Sequence, residues 1–236
     1  LFLFSSPNAK EQALMQDEAN ADLLALAVDA MLIDRVFITS QYMSSDGVQH
    51  FVRSLCDVSL EEIGLNPSSN THCRDNSNNH KGKSKVRTFS LQKLVEVAAV
   101  NMGSRSRLDW ARLWGTLATH FTEVGMHPNQ LVAMFAVDSL KQLSMKFLEK
   151  DELSNFNFQR LFLRPFEVLI GRSKSVEIKE LVLSCIDIML QARSSNIRSG
   201  WKAVFSTFNA AAKSGNLNVV TLAFQRLLRI RARQNT

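Results

Sequence analysis

Little in this sequence bends a chain or breaks a helix. Its 236 residues hold four prolines and nine glycines, which favours long uninterrupted helices over a turn-rich β fold. There is one tyrosine, and β-branched residues rarely alternate with polar ones, which argues against an all-β architecture. The three cysteines, Cys56, Cys73 and Cys185, are odd in number and far apart. That argues for a reducing compartment rather than a disulfide framework. No apolar run reaches the ~18–20 residues of a membrane span. The opening "LFLFSS" is too short for a signal h-region and has no basic stretch before it. It reads as a cut edge, and the chain is taken as a cytosolic fragment of something longer.

Motifs that carry chemistry are also missing. There is no Gly-rich phosphate loop, no Walker lysine and no G-x-S-x-G elbow, so neither a catalytic residue nor a cofactor is expected. His72, Cys73 and His80 share one stretch, but structural zinc needs four preorganised ligands and no second Cys or His pair is near. His120 and His127 have no carboxylate at helical spacing on the same face and read as ordinary satisfied or exposed histidines. Glu149, Asp151 and Glu152 sit beside Lys150 at a helix end and read as solvated surface. Cys185 lies in the apolar stripe Ile178, Leu181, Val182, Cys185, Ile186, Met189, as core filler and not as a reactive thiol. Trp110 and Trp114, spaced i, i+4 with Leu113 and Leu117 beside them, predict a packed inter-helix seam.

What is present is charge, unevenly placed. Residues 1–63 carry three Lys/Arg against ten Asp/Glu, giving −7; residues 64–107 carry eight against two, giving +6; residues 108–236 carry seventeen against ten, giving +7. An acidic block before a basic body suggests intramolecular attraction or an anionic partner for the body. Nucleic acid is a poor fit, because no RNP-like, zinc-finger or aromatic–basic pattern occurs.

Helical periodicity covers most of the chain. It predicts helices at residues 9–37 and 46–63, then at 89–102, 107–124, 128–149, 156–171, 175–193, 196–213 and 216–233. Residues 64–88, "GLNPSSNTHCRDNSNNHKGKSKVRT", have almost no apolar side chain and are expected to form a flexible loop. Its cations Lys81, Lys83, Lys85 and Arg87 have the chemistry to touch anionic lipid; a solvated loop is the simpler reading. Three parts follow: acidic helices over 1–63, the loop over 64–88, and a helical-repeat domain over 89–236. Helix starts at Asn129, Ser175, Asn196 and Asn216 recur at the period of paired-helix repeats. The expected fold is all-α, a HEAT/armadillo-like stack of helix pairs in an irregular α-solenoid, with a compact bundle as the other arrangement.

"NIRSGWKAVF", residues 196–205, sets two cations, a glycine and a tryptophan inside one predicted helix. With Asn196 as N-cap, Ile197, Trp201, Val204, Phe205 and Phe208 form one face, expected buried. Arg198, Lys202, Asn209 and Lys213 form the opposite, polar ridge. Gly200 lets the preceding helix come close. The tryptophan is then structural, and the ridge is either a partner-binding surface or a solvated face.

The run "FSLQKLVEVAAVNMGSRSRLDWARLWGTLATHFTEVGMHPNQLVAMFAVDSLKQLSMKFLEKDELSNFNFQRLFLRPFE" adds another kind of information. With "IRSGWKAVFSTFNAAA" it resembles the large brefeldin A-inhibited guanine-nucleotide exchange factors for Arf GTPases, strongly over about Phe89 to Phe224. The similar region is the first homology region downstream of their Sec-seven catalytic domain. "LCDVSLEEI" fits the approach to that region, and the first 50 residues match more weakly. The stretch Asn66–Lys85 is longer and richer in Asn and Ser than this junction usually is. The resemblance implies a non-enzymatic piece, since the family's catalytic domain with its glutamate finger lies upstream. It implies partners as well: GTP-bound Arf, the parent's own catalytic domain, and trans-Golgi membranes to which the region helps recruit the parent, with a dimer of the parent as a further contact. The competing reading is a structural helical-repeat scaffold for intramolecular or dimer contacts.

Overall fold

A computed structural model describes residues 15–21, 23, 29–65, 86–149, 152 and 157–234. Residues 66–85 of the loop expected over 64–88, with His72, Cys73 and His80, therefore lie outside the described residues, as does Asp151. Every regular element described is helical. Residues 15–21 are helical, followed by α1 (Ala30–Ile38), α2 (Ser45–Glu62), α3 (Phe89–Ser104), α4 (Arg107–Val124), α5 (Gln130–Phe147), α6 (Phe158–Arg172), α7 (Val176–Arg193), α8 (Gly200–Ala212) and α9 (Leu217–Gln234).

The chain divides into two units, Leu1–Thr39 and Ser40–Thr236. In the first, the single helix expected over 9–37 is interrupted. Asp29 has extended backbone, φ −71° and ψ 142°, and its carboxylate accepts from the N–H of Met31, so α1 starts anew at Ala30. An acidic side chain at an N-cap offers an acceptor to orphan N–H groups, which periodicity alone does not register.

The second unit is an irregular α-solenoid of two rows. Helices α2, α4, α6 and α8 pack side by side in one row, and α3, α5, α7 and α9 in the other. Each helix also packs on its chain neighbour in the opposite row, as α2 on α3, α4 on α5, α6 on α7 and α8 on α9. Helix α2, grouped by sequence with the acidic N-terminal part, packs on α3 and α4 and belongs to this unit. The charge boundary and the packing boundary are thus different places.

Caps fix where the helices begin. The side chains of Ser44, Ser106, Asn129 and Ser175 accept from N–H groups of the turns they precede, and Asn216 does the same ahead of α9. Gly215, with φ +71°, turns the chain from α8 into α9, a conformation that favours glycine.

The core between the rows is apolar. Trp114, Phe121, Phe162, Phe166 and a set of leucines on α3 to α6 are fully buried. Trp114 stacks on Phe162 at 3.8 Å between ring centroids, with Trp110 6.1 Å from Trp114, so the tryptophan pair is the inter-helix seam its spacing predicted. Cys56 and Cys185 are buried, and burial pushes both thiols up to about 12, which keeps them protonated core filler. At the far end, Asp187 of α7 is buried, accepts from Gln191 Nε2 at 2.8 Å and pairs with Arg226 and Arg229 of α9.

Candidate interaction surface

The segment 196–205 is seated by its neighbours. Asn196 does not cap α8. It lies in a 3-10 turn, Ser194–Asn196; its Nδ2 donates to the carbonyl of Leu148 at 2.8 Å, and its own carbonyl accepts from Gln159 Nε2 at 2.8 Å. Helix α8 starts four residues later than Asn196, at Gly200, and Ser199 offers no side-chain cap. The N–H groups at its start, from Arg198 to Gly200, are met from α6 and from Glu152 ahead of α6. Gln159 Oε1 accepts from the N–H groups of Arg198 at 2.8 Å and Gly200 at 3.3 Å. Glu152 accepts from Ser199 N at 2.9 Å, Ser199 Oγ at 2.7 Å and Gln159 N at 3.0 Å. Glu152 is thus a structural acceptor, where the sequence pattern indicated solvated surface; its partners lie 7 and 47 residues away and are invisible locally. Glu149 is exposed and pairs with Arg193 at 3.2 Å.

Gly200 is buried at this junction. A Cβ there would meet Ile197 Cγ2 and Leu163 Cδ1 at 3.1 Å and Gln159 Oε1 at 3.2 Å. A close approach occurs here, but the element approaching is α6 and not the preceding helix α7, as the sequence pattern suggested. Because the N-terminal ends of α6 and α8 meet there, the two helices run side by side in the same direction.

The faces of α8 differ from the expectation on one flank. Ile197, Val204 and Phe208 are buried as expected, with Gly200, Ala203, Thr207 and Ala211. Trp201 is half-buried and Phe205 is 50% exposed, the two rings stacked at 5.7 Å. The physical reason is that α6 covers the side carrying Gly200, while no described helix covers the flank carrying Trp201 and Phe205.

The proposed ridge is exposed throughout. Arg198, Lys202, Asn209 and Lys213 all face solvent, and the three cations form no ion pair among the described residues. Lys202, Asn209 and Lys213 share one helical face; Arg198 lies in the turn before the helix. Helix α8 contains no Asp or Glu, and α6 beside it has Arg160, Arg164 and Arg172 exposed against a single acid, Glu167. This face of the row is strongly cationic.

Between α4 and α6 the same row carries a groove of about 560 Å³. Trp114, Ala118, Phe158 and Pro165 contribute to its lining, and Arg164, Arg172, Thr119, Thr122 and Glu123 bring polar atoms to it. Sequence reasoning missed it, because a groove depends on which two helices become neighbours in the row.

The two histidines are structural. His120 is buried with Nε2 3.1 Å from Ser59 Oγ, and burial lowers it to about 4. His127 Nδ1 accepts from Asn129 N at 2.9 Å, so Nε2 carries the proton donated to the carbonyl of Ile63 at 3.0 Å. Among the described residues no group of three or more His, Cys, Asp or Glu side chains could hold a metal ion. No described helix is long and apolar enough to cross a membrane.

Residues 146–228, from the end of α5 into α9, match a family model described as Mon2/Sec7/BIG1-like, HDS. The chain is 47% identical over 193 residues to brefeldin A-inhibited guanine nucleotide-exchange protein 1 of Homo sapiens, covering 82% of this chain and 10% of that protein. It belongs to the brefeldin A-inhibited exchange-protein family. Plant members agree: protein 1 of Arabidopsis thaliana is 42% identical over 212 residues, 90% of this chain and 11% of that protein. Protein 2 of the same organism is 38% identical over 220 residues, 93% of this chain and 11% of that protein. The chain spans about a tenth of the length of these relatives.

Proposed function

We propose that this chain is a non-catalytic regulatory and membrane-recruitment domain of an Arf guanine-nucleotide exchange factor acting in vesicle-mediated transport at the trans-Golgi. In this reading it binds GTP-bound Arf and relieves inhibition of the parent's catalytic domain. The exchange chemistry belongs to that other domain. The observation that carries the reading is the cationic face of α6 and α8, with Arg198, Lys202 and Lys213 exposed and in no ion pair among the described residues, in a member of an exchange-protein family. Such a face attracts an acidic protein surface or anionic headgroups, and its pull weakens as salt rises.

The test is co-flotation with liposomes carrying GTP-loaded Arf, at low and physiological salt, for the parent chain and for Arg198→Ala with Lys202→Ala. The expected outcome is reduced flotation of the double variant at unchanged melting temperature. Equal flotation at both salts would move the binding surface away from this ridge.

A second reading, a scaffold for intramolecular or dimer contacts, is favoured by a different feature. Phe205 on α8 and Phe224 and Leu228 on α9 are all at least half exposed, an apolar set suited to packing against further structure. Sedimentation of the chain over a concentration series separates the two: a scaffold for dimer contacts self-associates, and a domain reserved for Arf does not.

A further inference from the structure

We propose that the groove between α4 and α6 docks a single amphipathic helix of a partner protein, with its apolar face on the floor and carboxylates along the edge beside α6. This site does not use the ridge residues Arg198, Lys202, Asn209 and Lys213; it takes Arg164 and Arg172 from the α6 part of the cationic face.

The groove's shape selects the occupant's secondary structure. It lies between two adjacent helices of one row, and its α4 wall from Ala111 to Glu123 is about 18 Å long at 1.5 Å per residue. That is room for about three helical turns. An extended peptide would need main-chain partners, and the walls are helices whose N–H and C=O groups bond within themselves. The hydroxyls of Thr119 and Thr122 already donate to the carbonyls of Gly115 at 2.9 Å and Ala118 at 2.6 Å. A helix satisfies its own backbone and asks only for an apolar floor.

The charges select the occupant's chemistry. Arg164 and Arg172 are exposed on the α6 side, one pair of turns apart, and neither forms an ion pair among the described residues. The one acid among the described lining residues, Glu123, is on the α4 side near its end. Carboxylates on the α6 edge of a docked helix would meet both arginines, and a cation there would be repelled.

Gly115 supports the reading independently. It sits in the middle of α4, is exposed, and a Cβ added to it would meet nothing within 4 Å. Inside a helix glycine is less stable than alanine, and no packing within the described fold requires it. Its position in the groove wall is where a side chain would stand between α4 and a docked helix.

The experiment uses two fluorescein-labelled, hydrocarbon-stapled peptides of about 12 residues, enough for three turns. Both carry Leu at i, i+3 and i+7; one has Glu along one edge and its twin has Lys. Fluorescence anisotropy is read for the full chain, for Gly115→Gln, and for Arg164→Glu with Arg172→Glu. The Glu peptide is expected to bind at least about tenfold more tightly than its twin, a preference the Arg pair variant removes. Gly115→Gln is expected to weaken binding about tenfold while its melting temperature stays equal or rises, so a loss cannot be ascribed to unfolding. Equal binding of the twins, or a Gly115→Gln chain that binds as well as the parent, overturns the proposal. So does no peptide binding combined with a Gly115-dependent interaction with phosphatidylserine vesicles, or with Gly115-dependent self-association in sedimentation; these assign the groove to lipid or to a second copy.

Discussion

Gln159 and Gly200 are fitted to each other. The same Oε1 that accepts from the Gly200 N–H at 3.3 Å would stand 3.2 Å from a Cβ at that position. The amide also donates to the Asn196 carbonyl and accepts from Arg198 N–H, so one buried side chain serves three main-chain groups of the turn into α8. Gln159→Leu leaves all three without that partner. Of the three only the Gly200 N–H is fully buried, and an unsatisfied buried group costs about 1–3 kcal/mol, so a loss of about that size is expected in urea denaturation. Gly200→Val should also destabilise, through contact with Ile197 and Leu163. A Gln159→Leu chain as stable as the parent would mean that water replaces the amide.

The two tryptophans of contrasting burial should respond differently. Trp114, stacked on Phe162 and fully buried, is expected to cost about 3–5 kcal/mol on substitution by alanine. Trp201 is half-buried on an uncovered flank, and Trp201→Ala should cost clearly less, about 1–2 kcal/mol. Chemical denaturation of both variants checks the order. Equal losses would show that the α8 flank is covered in solution.

How far this was legible in the sequence depends on the range of the interactions. Helices α2 to α7 and α9 were readable to within a few residues, because an apolar stripe is a local signal, as is the Ser or Asn cap ahead of α2, α4, α5, α7 and α9. The start of α8 was not. Asn196 has the right side chain for a cap, but Gln159 and Glu152 occupy that role from α6 and the chain before it. The uncovered position of Phe205 was equally hidden, since periodicity shows that a face is apolar and not whether a neighbour reaches it. The exposure of Arg198, Lys202, Asn209 and Lys213 could be read from the opposite face; the groove between α4 and α6 could not.

Acid should weaken the fold through His120. Burial lowers its folded value from 6.5 to about 4, so between those limits the unfolded chain binds a proton that the native chain does not. Its contribution is fully present above pH 6.5, is lost as pH falls toward 4, and levels off below. The loss is of the order of 3 kcal/mol, from about 1.36 kcal/mol per unit. Stability measured at several pH values should show a shallower acid slope for His120→Gln than for the parent. Identical slopes would mean that His120 is solvated and titrates normally.

The ridge on α8 should be nearly silent in stability. Arg198 and Lys202 are exposed and form no ion pair among the described residues, and exposed substitutions usually change stability by less than about 0.5 kcal/mol. A calorimetric scan of Arg198→Ala with Lys202→Ala should therefore overlay the parent within a few degrees. A large drop would reassign these side chains to the seating of α8 on α6.

The most direct test of the proposed function is the affinity of this 236-residue chain for Arf loaded with GTP and, separately, with GDP. Both should be measured on the same immobilised chain at low and physiological salt. The account predicts binding of the GTP form at least about tenfold tighter, a difference of about 1.4 kcal/mol, falling as salt rises. Equal affinity for the two nucleotide states, or no binding of either, would contradict it.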